Sequence, residues 1–137
     1  MKANIQLVDK VCFRATSETG HEIMMDGPPE HGGENRGARP METLLIGMGG
    51  CASFDVVYIL RKRRLAVTDC VAELEAERAA TDPKVFVKIH LHFKVSGEGL
   101  TDQAVGKAVQ LSAEKYCSAS IMLGKTAQIT HSFEIVS

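Results

Sequence analysis

Residues 44 to 60, LLIGMGGCASFDVVYIL, are apolar almost without interruption. The stretch carries helix signals at both ends. Pro40 suits the first helical position, where its missing N–H removes nothing. Glu42 falls in the first turn, and the basic run Arg61-Lys62-Arg63-Arg64 falls where positive charge meets the dipole of a helix C-terminus. A helix that is apolar all round must be buried all round. A chain of 137 residues has only a modest core for that purpose. Either strands wrap this helix or a second subunit covers it. Gly47, Gly49 and Gly50 sharpen the demand, because each costs about 0.5–1 kcal/mol against alanine in a helix interior. A large neighbour close to the backbone, such as a crossing helix, would account for them. The alternative is a break at Gly49-Gly50, with a second helix starting near Cys51.

The flanking sequence reads mostly as strands. Ile5 and Leu7 alternate with polar neighbours, Val11 to Thr16 follows, and His21 to Asp26 returns after the turn signal Ser17-Glu18-Thr19-Gly20. Residues 27–39, GPPEHGGENRGAR, form a loop rich in proline and glycine. A loop of that length in a small domain is more often functional than idle. After the long helix, Asp69 to Ala79 and Val85 to Val95 alternate as a hairpin around Thr81-Asp82-Pro83-Lys84. Val85, Val87, Ile89, Leu91, Phe93 and Val95 form its expected buried face. Phe86, Lys88, His90, His92 and Lys94 form the wetter one. Thr101 or Asp102 caps a second helix, whose stripe is Val105, Ala108, Val109, Leu111 and Ser112. A last strand runs from Ala127 to Val136. The order β-β-β-α-β-β-α-β predicts one α+β domain over residues 1–137 with antiparallel sheet.

Charge narrows the function. Sixteen Lys+Arg stand against seventeen Asp+Glu, so there is no global electrostatic case for nucleic acid. The first residues, MKANIQLVDK, hold no apolar core of a signal peptide. No segment is expected to reach the roughly 18 apolar residues that span a bilayer. The expectation is a cytoplasmic protein. His90 and His92 share a strand face, but nothing places a third metal ligand beside them, so they are expected as solvated side chains. No cysteine pair has zinc-finger spacing, and no glycine-rich phosphate cradle follows a strand.

Four cysteines remain. Cys12 and Cys70 lie on strands as small hydrophobes. Cys51 and Cys117 differ, because Gly49-Gly50-Cys51-Ala52-Ser53 and Cys117-Ser118-Ala119-Ser120 leave room for a reagent. In a reducing compartment any pairing among them is transient and chemical.

The sequence Arg39-Pro40-Met41-Glu42-Thr43-Leu44-Leu45, followed by Cys51 in an apolar helix and by a late Cys117-Ser118, resembles the OsmC/Ohr family (osmotically inducible protein C and organic hydroperoxide resistance proteins). The similarity runs along nearly the whole chain. The wording GGC-x-x-x-DVV is closest to the YhfA-like branch. The resemblance implies antiparallel sheets wrapped around long central helices in an intertwined homodimer. It also implies two cysteines per active centre at the dimer interface, and no metal, haem or flavin. Cys51 would attack an organic hydroperoxide and become a sulfenic acid. Cys117 would condense with it to a disulfide, and an external dithiol would restore the pair.

The chain departs from the family pattern at the groups that support the thiolate. Members place a glutamate directly after the proline to hold an arginine. Here that position is Met41, and Glu42 lies one residue later, about 100° round the helix. Arg14, Arg36 and Arg39 are the candidate arginines, with Arg36 and Arg39 in the loop favoured. Asp55 shares the face of Cys51 at i+4. A bare carboxylate there would raise the thiol pKa and blunt it. An arginine on Asp55 would instead give the guanidinium an anchor, and a salt bridge to a strand or partner residue is the plainer expectation. A catalytically silent dimer of the same fold, binding a small molecule or sensing redox state, is the alternative to a peroxidase.

Overall fold

A computed structural model describes all residues from Met1 to Ser137. They fall into two compact units, Met1–Ile46 and Gly47–Ser137.

In the first unit, β1 (Ala3–Asp9), β2 (Cys12–Ser17) and β3 (Glu22–Asp26) form the expected antiparallel meander. Cys12 is fully buried, as a small hydrophobe should be. β1 is exposed along its whole length, with Ile5 and Leu7 each 54 % exposed. The loop after β3 is held in place by a buried acid. Asp26 is 1 % exposed, and its Oδ2 accepts the N–H groups of Glu34 at 3.0 Å and Arg36 at 3.1 Å. The Arg36 guanidinium pairs with Asp9 and lies 3.7 Å from Asp26 and 3.5 Å from Glu34. The N–H of Asp26 donates to the Ala38 carbonyl at 3.0 Å, which lays the end of the loop along β3. Gly37 has no alternative there, because a Cβ would strike the Met24 carbonyl. The Glu34 N–H, more than any other group, holds the Asp26 carboxyl below the usual carboxylate range.

α1 (Pro40–Lys62) begins in this unit with a one-sided cap. The Arg39 N–H donates to Glu42 Oε1 at 2.8 Å, the reach-back of a glutamate at the third helical position. The helix then runs without a break through Gly49-Gly50, so the predicted alternative of two helices is discarded.

In the second unit α1 buries one stripe, Met48, Gly49, Ala52, Val56 and Leu60. The opposite side is bare, with Phe54 66 % and Tyr58 55 % exposed and their rings stacked 5.6 Å apart. Burial all round is therefore not achieved by this chain alone. The three glycines separate in the same way. A Cβ on Gly49 would lie 3.1 Å from Leu74 Cδ1, whereas Gly47 and Gly50 face open space. The expectation that no segment could span a bilayer needs correction: by length and mean hydropathy Pro40–Lys62 is apolar enough, since glycine, serine and cysteine interrupt an apolar run without lowering its average much. Its buried stripe packs into the protein core.

β4 (Ala66–Arg78) and β5 (Phe86–Glu98) form the predicted antiparallel hairpin. β6 (Gln128–Ile135) pairs with β5 in parallel, giving the order β4-β5-β6. The expectation of purely antiparallel sheet was wrong here. Parallel neighbours need a long crossover, which the chain supplies through α2 (Asp102–Leu111) and α3 (Ser118–Leu123). Thr101, rather than Asp102, caps α2, its Oγ1 accepting the Ala104 N–H at 3.1 Å. Phe93, Leu91, Ile89 and Val95 of β5 are all buried, together with Met48 and Leu60 of α1 and Val105 of α2. The outer face of the sheet carries a polar ladder. His90 lies 2.6 Å from Thr130 Oγ1 and 2.8 Å from Ser132 Oγ, and His92 lies 2.7 Å from Ser132 Oγ and 3.2 Å from Glu134. These histidines are half-buried and partnered rather than solvated.

One inversion of the alternation is informative. Val85 and Val87 are exposed and Phe86 is buried, the reverse of the strict two-residue pattern. The register slips at Glu77/Arg78, so that Glu77 faces Lys88 while Arg78 faces Phe86. Val87 is the extra residue of a bulge, and a bulge flips the side chains beyond it. Phe86→Ala should therefore cost about 3–5 kcal/mol of stability, and Val87→Ala less than about 1 kcal/mol, in urea unfolding. Asp26 gives a second test. A carboxyl whose folded pKa is lowered adds stability above its unfolded value and loses it as pH falls through the folded one. Asp26→Asn should flatten that acid limb when unfolding is followed from neutral pH into the acid range.

Candidate active site

Two helices bring the chemistry together in the second unit. α1 presents Cys51 and Asp55 one turn apart, on one face. The second thiol arrives by an irregular path. Beyond α2 the helix widens into a π-turn, Ser112–Tyr116, and Cys117 then leaves with extended backbone, φ −76° and ψ 101°. π-Turns of this kind frequently mark functional sites. Cys117 caps α3 with its own sulfur, which accepts the Ser120 N–H at 3.3 Å and the Ser120 hydroxyl at 3.1 Å. The Ser112 hydroxyl ties the π-turn to α1, 3.2 Å from Asp55 Oδ2 and 3.4 Å from the Ala52 carbonyl.

The outcome is a compact triad. Cys51 Sγ, Cys117 Sγ and an Asp55 carboxylate oxygen all lie within 4.8 Å of one another. All four cysteines are free. Cys51 is half-buried, whereas Cys117 is fully buried. Burial pushes the Cys117 thiol up, the two Ser120 hydrogen bonds pull it back, and the neighbouring Cys51 adds to the rise. Burial also raises the Asp55 carboxyl, against the Ser112 hydrogen bond. Beside the triad lies a mainly apolar groove of about 470 Å³, walled by Phe54, Asp55, Tyr58, Leu111 and Tyr116 among others.

The supporting residues predicted from sequence are disposed differently. Asp55 forms no ion pair; its partner is the Ser112 hydroxyl, so neither the arginine anchor nor the salt bridge expected for it is present in this chain. Arg36 is engaged by three carboxylates of the first unit, and Arg39 donates to the Gly37 carbonyl at 3.1 Å and to Asn35 at 3.4 Å. Arg14 faces Glu22 at 4.0 Å. Glu42 is committed to the cap of α1. Cys70 is half-buried, not fully buried as a core hydrophobe would be, and its thiol is pushed up by burial and by Asp69.

Ser112 and Ser120 were not foreseen as site residues. Both left a trace in the sequence. Ser112 is a hydroxyl at a position of the apolar stripe of α2, and Ser120 stands three residues after Cys117, the spacing of an N-cap to the donor it satisfies.

Comparison with known proteins identifies the family and the fold. Residues 32–132 match the family model described as OsmC-like protein. The chain is 45 % identical over 137 residues to Protein YhfA of Escherichia coli (strain K12), covering 100 % of this chain and 99 % of that protein. Among solved structures, a hypothetical protein from Aquifex aeolicus VF5 is 31 % identical, with a TM-score of 0.86 over 98 % of this chain and 95 % of its own. An organic hydroperoxide resistance protein OsmC from Legionella pneumophila shares the fold at 18 % identity, with a TM-score of 0.70 over 97 % and 95 % of the two chains. The chain belongs to the OsmC-like protein family.

Proposed function

We propose that this protein is a thiol-dependent peroxidase that reduces organic hydroperoxides through a Cys51–Cys117 cycle. The observation that carries the proposal is the convergence of one accessible and one buried thiol within 4.8 Å. The names of distant relatives, among them the Legionella protein, point the same way.

The Cys51 thiolate attacks the distal oxygen of the hydroperoxide. The O–O bond breaks, Cys51 becomes a sulfenic acid, and the alkoxide leaves as an alcohol after taking a proton. Asp55 is placed beside Cys51 to supply that proton in its protonated form, the direction in which burial shifts its carboxyl. In that form it also spares Cys51 the repulsion of a bare carboxylate. Cys117 then attacks the sulfenic sulfur, water departs and a disulfide forms. An external dithiol reduces it by exchange, which suits a reducing, cytoplasmic setting. The groove beside Asp55 supports an organic rather than an inorganic peroxide, since its walls are largely apolar.

The reading includes a homodimer. A second copy laid against the bare side of α1 would cover Phe54 and Tyr58 and close the groove. It would also give Gly50 the close neighbour that it lacks within the chain.

Two experiments test these points. With cumene hydroperoxide and a dithiol, the wild type should turn over and Cys51→Ser should not. Reduced Cys117→Ser freed of the dithiol should consume about one equivalent of peroxide and accumulate a sulfenic acid that dimedone traps, whereas the wild type should form a disulfide instead. No turnover by folded, reduced wild type would replace the peroxidase reading with that of a binding or redox-sensing dimer. For the assembly, Gly50→Leu meets open space within one chain and should leave the fold intact. It should shift the species seen in sedimentation from dimer to monomer; an unchanged dimer would remove the crossing from this face.

A further inference from the structure

The triad has a property that peroxide chemistry does not require. Three different metal-binding side chains converge on one point: two thiols and a carboxyl, their ligand atoms mutually within 4.8 Å. Cys51 and Asp55 are spaced i, i+4 on α1, the spacing by which a helix presents two ligands to one ion. Cys117 comes from a different element, across from them. In a tetrahedral zinc site, with Zn–S near 2.3 Å and Zn–O near 2.0–2.2 Å, ligand atoms stand roughly 3.5–4 Å apart. Small rotamer adjustments would therefore bring these three onto one ion.

The surroundings fit as well. Metal ligands are ordinarily oriented by a second set of hydrogen bonds. Here the Ser112 hydroxyl holds Asp55 at 3.2 Å, and the Ser120 N–H and hydroxyl hold the Cys117 sulfur at 3.3 and 3.1 Å. Three potentially anionic groups meet, and although Lys62 and Arg63 line the groove beside Asp55, neither comes within ion-pair distance of it. A divalent cation would supply positive charge in direct contact with the triad. Cys51 is half-buried, so the cluster has a side from which an ion can enter. Two sulfurs and one oxygen make a borderline-soft set, which suits Zn²⁺ better than Mg²⁺ or Ca²⁺. The histidines of the sheet do not compete for this role in the same way, since His90 and His92 are already bonded to Thr130, Ser132 and Glu134.

We infer that Cys51, Asp55 and Cys117 form a three-ligand site for a thiophilic divalent cation of the Zn²⁺ class, with a fourth position left to water or another small ligand. Binding occupies both sulfurs at once. The ion and a peroxide therefore exclude each other, and the metal shields the thiols from oxidation. The inference stands on the geometry of the triad and holds whether or not the protein turns over peroxide.

The test uses full-length, fully reduced, metal-free protein titrated anaerobically with Co²⁺, then with Zn²⁺ as competitor. The expected spectrum has the near-ultraviolet sulfur-to-cobalt charge-transfer band and the intense visible bands of a tetrahedral site, saturating at one ion per chain. Zn²⁺ should abolish it. Cys51→Ala and Cys117→Ser should each weaken the charge-transfer band and the affinity, and Asp55→Asn should weaken Zn²⁺ binding at least about tenfold. The double variant Cys12→Ala/Cys70→Ser should leave the spectrum unchanged, as should His90→Ala/His92→Ala. Circular dichroism identifies any variant that fails to fold, and Cys51→Ala is the arm least exposed to that outcome because its site is not fully buried. Wild type without a charge-transfer band, or a band that survives in folded Cys51→Ala at full strength, overturns the inference. A site that depends on the histidines and not on the thiols overturns it too.

Discussion

α1 is the constraint from which the rest of the second unit follows. Its stripe from Met48 to Leu60 is buried in the same unit as Ile89, Leu91, Phe93 and Val95 of β5. Gly49 lets the helix settle close to Leu74 of β4. The same helix carries Cys51 and Asp55, so packing the core also positions two of the three groups of the triad. The third is delivered by the crossover that a parallel β5–β6 pair demands. Topology and chemistry are thus linked through one stretch of chain, residues 102 to 123.

Much of this was legible in the residues. Element order and the start of α1 at Pro40 follow from helix signals and alternation, and the nearness of Cys51 to Cys117 was implied by the family resemblance. What escaped was decided by non-local geometry. Strand direction is one example: a sequence shows that Gln128–Ile135 is a strand, but not which way it runs beside β5. The bulge at Val87 is another, since the alternation through Val85, Val87 and Ile89 is unbroken on paper and only the partner strand forces Phe86 inward. The role of Glu42 was misplaced because its carboxylate satisfies the nearest orphan donor, the Arg39 N–H.

The site itself shows how far environment changes the meaning of a residue type. Asp55 beside a thiol looked like an obstacle in the sequence, because a charged carboxylate would oppose a thiolate. Burial works against that charge by raising the carboxyl, while the Ser112 hydrogen bond opposes the shift. Cys117, by contrast, is buried enough that its own ionisation is disfavoured, and Ser120 offsets this from two directions. The two thiols are chemically distinct before any reagent arrives.

Cys117 also has a structural duty that Cys51 lacks. Its sulfur is the acceptor that closes the first turn of α3, a helix of only six residues. So short a helix has little intrinsic stability of its own. Whatever engages that sulfur, whether another sulfur, a metal or an electrophile, draws lone-pair density away from the Ser120 N–H. Chemistry at that sulfur and the order of the first turn of α3 therefore draw on the same lone pairs.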